Sequence, residues 1–209
     1  MNHESETTPN NKEEVPFQHY CALFRALDPQ EAANRCGVPF DGKEFRVRLL
    51  DTEYRLAWPE FAIRTESGRG LALGRLPIQT FLMRYLLEGK ASSESRRYLT
   101  FREMPWGEVY IKPFTGRCLT RAAFTFGTRL SKFCAGAEAL GGTPGGHGDA
   151  SYCFSLLGSY RMEIIVWEGD DEFPPNSQIL YTDNFADGFS AEDRVVAGDI
   201  LITAIKENM

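Results

Sequence analysis

The stretch ASYCFSLLGSYRMEIIVW, residues 150–167, alternates apolar and polar side chains on both sides of a central Gly-Ser pair. Alternation with a period of two is typical of a β-strand with one buried face. A glycine at the first central position favours a two-residue hairpin turn. The stretch therefore predicts a β-hairpin with its turn at Gly158-Ser159, in which Leu157 pairs with Tyr160 and every further pair lies one residue farther along each strand.

This register predicts that two loops meet at the open end of the hairpin. It places Asp149 opposite Glu168 and His147 opposite Asp170. The first loop, GGTPGGHGDA at 141–150, has five glycines among residues 141–148, and glycine allows the backbone to approach a ligand closely. The second loop, WEGDDEFPP at 167–175, is acidic. The candidate ligand-binding residues are therefore His147, Asp149, Glu168, Asp170 and Asp171.

Crowded carboxylates either have raised pKa values or need a cation, and hard oxygen ligands favour Mg²⁺, Mn²⁺ or Ca²⁺. Asp149, Asp170 and Asp171 are the predicted metal ligands, with a divalent cation such as Mg²⁺ or Ca²⁺ as the candidate cofactor. The alternative interpretation is structural: a mobile glycine loop beside a solvated acidic turn. The glycine loop lacks the GK[ST] ending of a phosphate-binding loop, and it is not a GxGxxG motif after a strand.

Nucleophilic catalysis has little support in the sequence. Of the three histidines, His3 falls in a polar N-terminal segment and His19 on a predicted core helix, so only His147 is placed to serve as a base. A Cys153–His147 pair is an alternative, but neither a nucleophile elbow nor a helix start would activate that thiol. The five cysteines form no CxxC pair, which argues against a disulfide framework and against a local zinc or iron–sulfur site.

The rest of the chain predicts helices and further hairpins, which makes the fold class α+β rather than a βαβ repeat. Antiparallel hairpins are expected to pack with several helices, including one long core helix near 117–140 and a C-terminal helix opened by the capping sequence Ser190–Asp193. The other predicted elements are a helix from Pro16, a short helix from Pro29 that ends before Gly37, a hairpin over 44–58, a helix over 76–88, and strands at 98–101 and 109–111.

Residues 1–15 are polar and predict a disordered tail, because they cannot bury enough apolar surface to offset the entropy of ordering. Residues 16–209 are predicted to form a single α+β domain. The sequence has no run of about 20 apolar residues, which predicts no membrane span. It also has no basic start followed by an apolar stretch, so it predicts no secretory signal and a cytoplasmic location.

The charge is divided unevenly along the chain. The formal net charge is −6, but residues 16–167 carry +5 and residues 168–194 carry −7. The negative net charge argues against a protein whose main surface binds nucleic acid, although this net charge is compatible with a local basic face. The negative segment begins at the acidic loop and favours a cation or a basic partner there.

Three segments carry a resemblance to a known family: GGTPGGHGDASYCFSLL, RMEIIVWEGDDEFPPNSQILYTDNF, and the helix opened by SAED. Over most of residues 16–207 the chain resembles an uncharacterised family of prokaryotic proteins, a domain of unknown function known chiefly from anaerobic bacteria and archaea. GDxSY and WEGDxEFPP are its most specific segments. The resemblance implies no established activity. Some relatives carry an added iron–sulfur segment, which implies low-potential redox or corrinoid chemistry, but this chain lacks the four-cysteine run needed to share it.

These observations support three hypotheses. The first is an accessory domain in anaerobic metabolism that binds a small ligand or a divalent cation between the two loops. The second is a metal-assisted hydrolase that uses the same carboxylates, with His147 as acid or base. The third is a protein interaction module that docks through its arginine-bearing faces and its acidic segment. The partner is thus a small molecule or a protein, and the sequence does not define an oligomeric state.

Overall fold

The structure is a computed structural model, and it describes residues 13–67 and 75–209. In these residues the helices are α1 (Glu14–Ala26), α2 (Pro29–Cys36), α3 (Leu76–Glu88), α4 (Gly107–Phe114), α5 (Arg121–Phe126), α6 (Leu130–Ala139), α7 (Phe185–Gly188) and α8 (Ala191–Glu207). The strands are β1 (Glu44–Leu49), β2 (Thr52–Ala57), β3 (Ile63–Ser67), β4 (Tyr98–Thr100), β5 (Thr143–Pro144), β6 (Ala150–Leu157), β7 (Tyr160–Trp167) and β8 (Asn176–Thr182). Helices with antiparallel sheets confirm the α+β class.

The predicted hairpin, β6 and β7, lies inside a five-stranded antiparallel sheet of order β4-β8-β7-β6-β5. One face of this sheet is apolar and buried; it includes Phe154, Ile164 and Tyr181. The helical segment before β5 and helix α8 cover that face. Helix α8 comes close at Gly198, where an added Cβ would lie 2.9 Å from the sulfur of Cys118 and 3.1 Å from the hydroxyl of Tyr181. We call the opposite side the outer face.

A second, three-stranded antiparallel sheet of order β1-β2-β3 adjoins the first. Its predicted alternation is confirmed, because Phe45, Val47 and Leu49 are buried while the residues between them are more exposed. The backbone N–H of Leu50 donates to the carbonyl oxygen of Leu156, which links the two sheets at the β6–β7 hairpin.

The predicted long helix near 117–140 is wrong as a single element. Helix α4 continues through a π-helical segment, Thr115–Thr120, into α5, and the chain then breaks before α6 starts at Leu130. The break has a tertiary cause: the carbonyl of Gly127 accepts from the N–H of Gly169, and an added Cβ on Gly127 would lie 2.3 Å from the Pro175 side chain. The spacing of apolar residues in the sequence does not reveal this contact.

The predicted strand at 109–111 is also wrong, because these residues belong to α4. Its sequence, Val-Tyr-Ile, is rich in strand-forming residues, yet local propensity is a weak signal when tertiary packing opposes it. Helix α4 instead buries Phe114, whose ring stacks on Phe101 with the centroids 4.1 Å apart. This aromatic contact forms with residues 109–111 in a helix rather than in a strand.

The predicted ends of several helices are confirmed. The Asp28 carboxylate caps α2, and Ser190 with Asp193 forms the expected capping box of α8. Helix α1 begins two residues before Pro16, so Glu14 and Val15 are helical rather than part of a tail; residues 1–12 of the predicted tail lie outside the described residues. Among the described helices, none combines the length and the apolar composition needed to cross a bilayer.

Candidate functional site

The β6–β7 hairpin has the expected turn, but its register changes by one residue beside that turn. Leu157 pairs with Tyr160 as predicted, whereas an irregularity between Ser155 and Leu157 shifts all the remaining pairs. Ala150 therefore lies opposite Val166 instead of Trp167. A β-bulge of this kind inserts one residue on a single strand, and it changes which residues meet at the open end.

The glycine loop before β6 lies directly on the outer face of the large sheet. The N–H of Gly145 donates to the carbonyl of Ser151 at 2.8 Å, and the N–H of Asp149 donates to the carbonyl of Val166 at 3.1 Å. An added Cβ would lie 2.3 Å from Ser151 Oγ at Gly145, and 2.7 Å from Ile165 Cγ2 at Gly148. The glycines are needed here because the backbone touches the sheet.

His147 stands on this loop above a buried carboxylate. Its Nδ1 lies 2.9 Å from Oε1 of Glu163, whose side chain is 4 % exposed, while the His147 side chain is 63 % exposed. The expected position of His147 opposite Asp170 is wrong, because the bulge shifts the register and the loop folds over β7. Sequence reasoning did not select Glu163, although a lone carboxylate inside an apolar strand is the signal that could have found it.

The predicted meeting of the two loops occurs at Asp149. Its Oδ2 accepts a hydrogen bond from the backbone N–H of Glu168 at 2.8 Å, so these two residues are neighbours as expected. Asp170 is turned into its own loop, where Oδ1 accepts from the N–H groups of Phe173 and Glu172 at 2.7 and 2.8 Å. Those two hydrogen bonds, that of Phe173 first, lower the pKa of the Asp170 carboxyl.

The carboxylates predicted as metal ligands therefore serve separate purposes in the structure. Asp149 ties the second loop to the first, Asp170 closes a turn, and the exposed Asp171 takes part in neither. In residues 13–67 and 75–209, no three His, Cys, Asp or Glu side chains are grouped so that they could hold a metal ion. A more clearly formed feature of this region is a depression lined by aromatic side chains.

An open depression lies beside the acidic loop, at the end of β7. It has a volume of about 490 Å³, and we call it the aromatic–acidic cleft; its lining residues are Trp167, Glu168, Phe173, Pro174, Pro175 and Asn176. The Phe173 ring is 66 % exposed and Trp167 is 37 % exposed. Within the described part of the chain, the four acidic residues between 168 and 172 form no ion pair. The cleft thus combines two accessible rings with uncompensated negative charge.

Cys153 also lies on the outer face, next to Glu163. Burial raises the pKa of its thiol, and the Glu163 charge raises it further, although a hydrogen bond with Tyr98 opposes this. Burial likewise raises the pKa of the Tyr98 hydroxyl to about 12. The sulfur is therefore protonated at neutral pH, and His147 is bonded to Glu163 rather than to the thiol. A Cys153–His147 nucleophilic pair has no support in this geometry.

Three comparisons with known proteins were made, and one of them finds a match. Neither the search of curated proteins nor the search of solved structures finds a match. One family model does match, over residues 28–204, and its description is "Domain of unknown function (DUF3786)". The match includes both sheets, the glycine loop, the acidic loop and nearly all of α8. The chain therefore belongs to this uncharacterised family, DUF3786.

Proposed function

We propose that this chain is a cytoplasmic accessory domain that binds a small organic cation in the aromatic–acidic cleft. The observation that carries the proposal is the pair of exposed rings, Trp167 and Phe173, beside carboxylates that have no cationic partner in the described residues. A role in anaerobic metabolism is part of the same proposal. The ligand class is that of an ammonium or guanidinium group on a small molecule.

The physical chemistry of the cleft favours such a group. A cation over an aromatic face is stabilised by about 0.5–1 kcal/mol at an exposed site, and by more once it is desolvated. The carboxylate of Glu168 lies in the same cleft, and Asp171 and Glu172 follow on the same loop, so their charges add attraction over about one Debye length, roughly 8–10 Å. The volume is also in the range of small-molecule sites, which is about 300–1,000 Å³.

The other hypotheses receive less support from the geometry. A metal-assisted hydrolase would need a cavity beside Asp149 and Asp170, but neither residue lines the cleft. The basic faces proposed for docking are partly used inside the molecule, since Arg117 and Arg121 both pair with Asp199 of α8. The divalent-cation version remains a prediction, and a rise in melting temperature with MgCl₂ or CaCl₂ that Asp170→Ala with Asp171→Ala abolishes would support it.

The experiment is a titration of the full chain with tetramethylammonium chloride, followed through the indole N–H signals of its three tryptophans by NMR. Binding in the cleft should shift the Trp167 signal in a saturable way below about 100 mM, because exposed cation–π sites are weak. NaCl at equal ionic strength serves as the salt control. An equal response to both salts, or no response of Trp167, would overturn the proposal.

Matched variants locate the binding. Phe173→Ala should abolish the saturable shift, because it removes one ring, whereas Val109→Ala removes an equally exposed apolar side chain outside the cleft and should leave the shift intact. Both positions are exposed, so neither change should unfold the chain. A parallel titration with hexalysine separates a small-molecule site from a peptide site: if only the peptide saturates, the proposed ligand class is wrong.

A further inference from the structure

The two nitrogens of the His147 imidazole differ in the described residues: Nδ1 is hydrogen-bonded to Glu163, and Nε2 has no hydrogen-bond partner. A carboxylate only accepts hydrogen bonds, so the 2.9 Å contact with Glu163 Oε1 assigns the proton of the neutral ring to Nδ1. The lone pair then lies on Nε2. Because Glu163 is buried and His147 is mostly exposed, Nε2 faces away from the sheet and is accessible from solution.

The buried carboxylate also makes Nε2 more reactive. When the ring nitrogen attacks an electrophile, the ring becomes positively charged, and a carboxylate hydrogen-bonded to Nδ1–H stabilises that charge. The stabilisation is stronger where water is excluded, and the Glu163 side chain is 4 % exposed. Glu163 therefore acts as a positioning residue that orients the ring and supports its charged state.

The loop around His147 offers donors for an anionic group. In the described residues, the backbone N–H groups of Gly146 and Gly148, on either side of His147, make no hydrogen bond, whereas those of Gly145, His147 and Asp149 are bonded to the sheet. Space is also available, because an added Cβ on Gly146 would meet nothing within 4 Å. Free N–H donors in a glycine loop suit the oxygens of a phosphoryl group.

We propose that His147 is a phosphoryl-accepting histidine that reacts at Nε2 with a small acyl phosphate or phosphoramidate. The Nε2 lone pair forms a bond to phosphorus, and the bond from phosphorus to the leaving group breaks. The leaving group keeps that electron pair and departs as a carboxylate, or as ammonia after protonation. Nδ1–H remains bonded to Glu163, which balances the positive charge on the ring. This proposal does not depend on the aromatic–acidic cleft.

The test uses the full chain and potassium phosphoramidate as the donor, at about pH 8, where an ordinary histidine is neutral. Phosphorylation is followed by intact mass and ³¹P NMR, and the modified residue is located by peptide mapping. His19 provides an internal reference, because it is also exposed and has no carboxylate hydrogen bond in the described part of the chain. His147 should react at least about tenfold faster than His19.

Glu163→Gln should reduce the His147 rate by about tenfold or more and leave the His19 rate unchanged, since it keeps the size of the side chain but removes its charge. Glu163→Asp, which keeps the charge, should retain part of the acceleration. The comparison of His147 with His19 in the unaltered chain needs no variant, so it decides the matter even if Glu163→Gln fails to fold. Equal rates at the two histidines would overturn the proposal, and so would an unchanged His147 rate in a folded Glu163→Gln variant.

Discussion

Two buried charges, on opposite sides of the large sheet, are held in different ways. Arg194, in α8, is 1 % exposed; its guanidinium nitrogens donate to the carbonyls of Phe189 and Pro105, and it lies over the Phe101 ring. Glu163, on the outer face, is equally buried, yet its hydrogen-bond partner is the exposed His147. Removing a buried charge that is held by backbone carbonyls leaves those carbonyls without donors, so we expect Arg194 to matter for the stability of the fold. A buried charge held by an exposed imidazole stabilises a particular state of that imidazole.

The largest expected loss of stability therefore comes from a substitution of Arg194. Arg194→Leu should lower the free energy of unfolding by about 3 kcal/mol, because the buried carbonyl of Phe189 and the partly buried carbonyl of Pro105 lose their donors. Urea unfolding measures it. Arg102→Leu is the matched control, since Arg102 is exposed and its ion pair with Glu108 should contribute less than about 1 kcal/mol. Equal losses for the two variants would contradict the structural role of Arg194.

A smaller loss is expected where the glycine loop rests on the sheet. Gly148→Ala should cost about 1–2 kcal/mol, because Gly148 has φ +62° and its new Cβ would lie 2.7 Å from Ile165 Cγ2. Gly146→Ala, which meets nothing within 4 Å, should change stability by less than about 0.5 kcal/mol. Urea unfolding of both variants tests whether the loop is seated as described. A Gly146→Ala loss as large as that of Gly148→Ala would contradict that seating.

Glu163→Leu tests the comparison most directly. It should leave the free energy of unfolding within about 1 kcal/mol of the starting value, because replacing a buried charge by an apolar side chain removes a desolvation cost and leaves only an exposed imidazole without a partner. The same variant should lose the faster phosphorylation of His147. A stability loss as large as that of Arg194→Leu would mean that Glu163, too, is held for stability.

The smallest effect should come from the acidic loop. The hydrogen bonds from Phe173 and Glu172 lower the pKa of Asp170 in the folded state, so their contribution is present above the unfolded value of about 3.9 and is lost as the pH falls through the folded value. Asp170→Asn should therefore lose less stability between about pH 5 and pH 3 than the unaltered chain. Urea unfolding at both pH values measures the difference. Identical acid dependence would contradict this role of Asp170.

The fold was predictable from sequence where one local pattern determines the outcome. Alternation gave the strands of both hairpins, and capping residues gave the ends of α2 and α8, because these signals act over a few residues. The third strand of the small sheet, β3, was not predicted. The break after α5 was missed because it arises from a contact between Gly127 and Gly169, which are distant in sequence.

The site was predictable only in part, for a related reason. Asp149 was correctly placed at the open end of the hairpin next to Glu168, because the antiparallel register brings the two loops together there even with an error of one residue. His147 was expected at the same end, opposite Asp170, but it lies over Glu163 instead. The partner of His147 was not predictable, because it depends on a one-residue shift and on a glycine loop that folds back across β7. The alternation of apolar and polar residues in the sequence predicts neither the register shift nor the path of the loop.

The irregularity between Ser155 and Leu157 also affects how members of this family should be aligned. A relative that lacks one residue there would have a regular ladder with all the other pairs unchanged. A relative of the same length without the irregularity would instead pair its loop before β6 with β7 one position further along. A carboxylate aligned with Glu163 would then no longer lie beneath the histidine, even though the alignment showed the same residues at both positions. Alignments should therefore be anchored separately on each side of this irregularity, with any gap placed inside it.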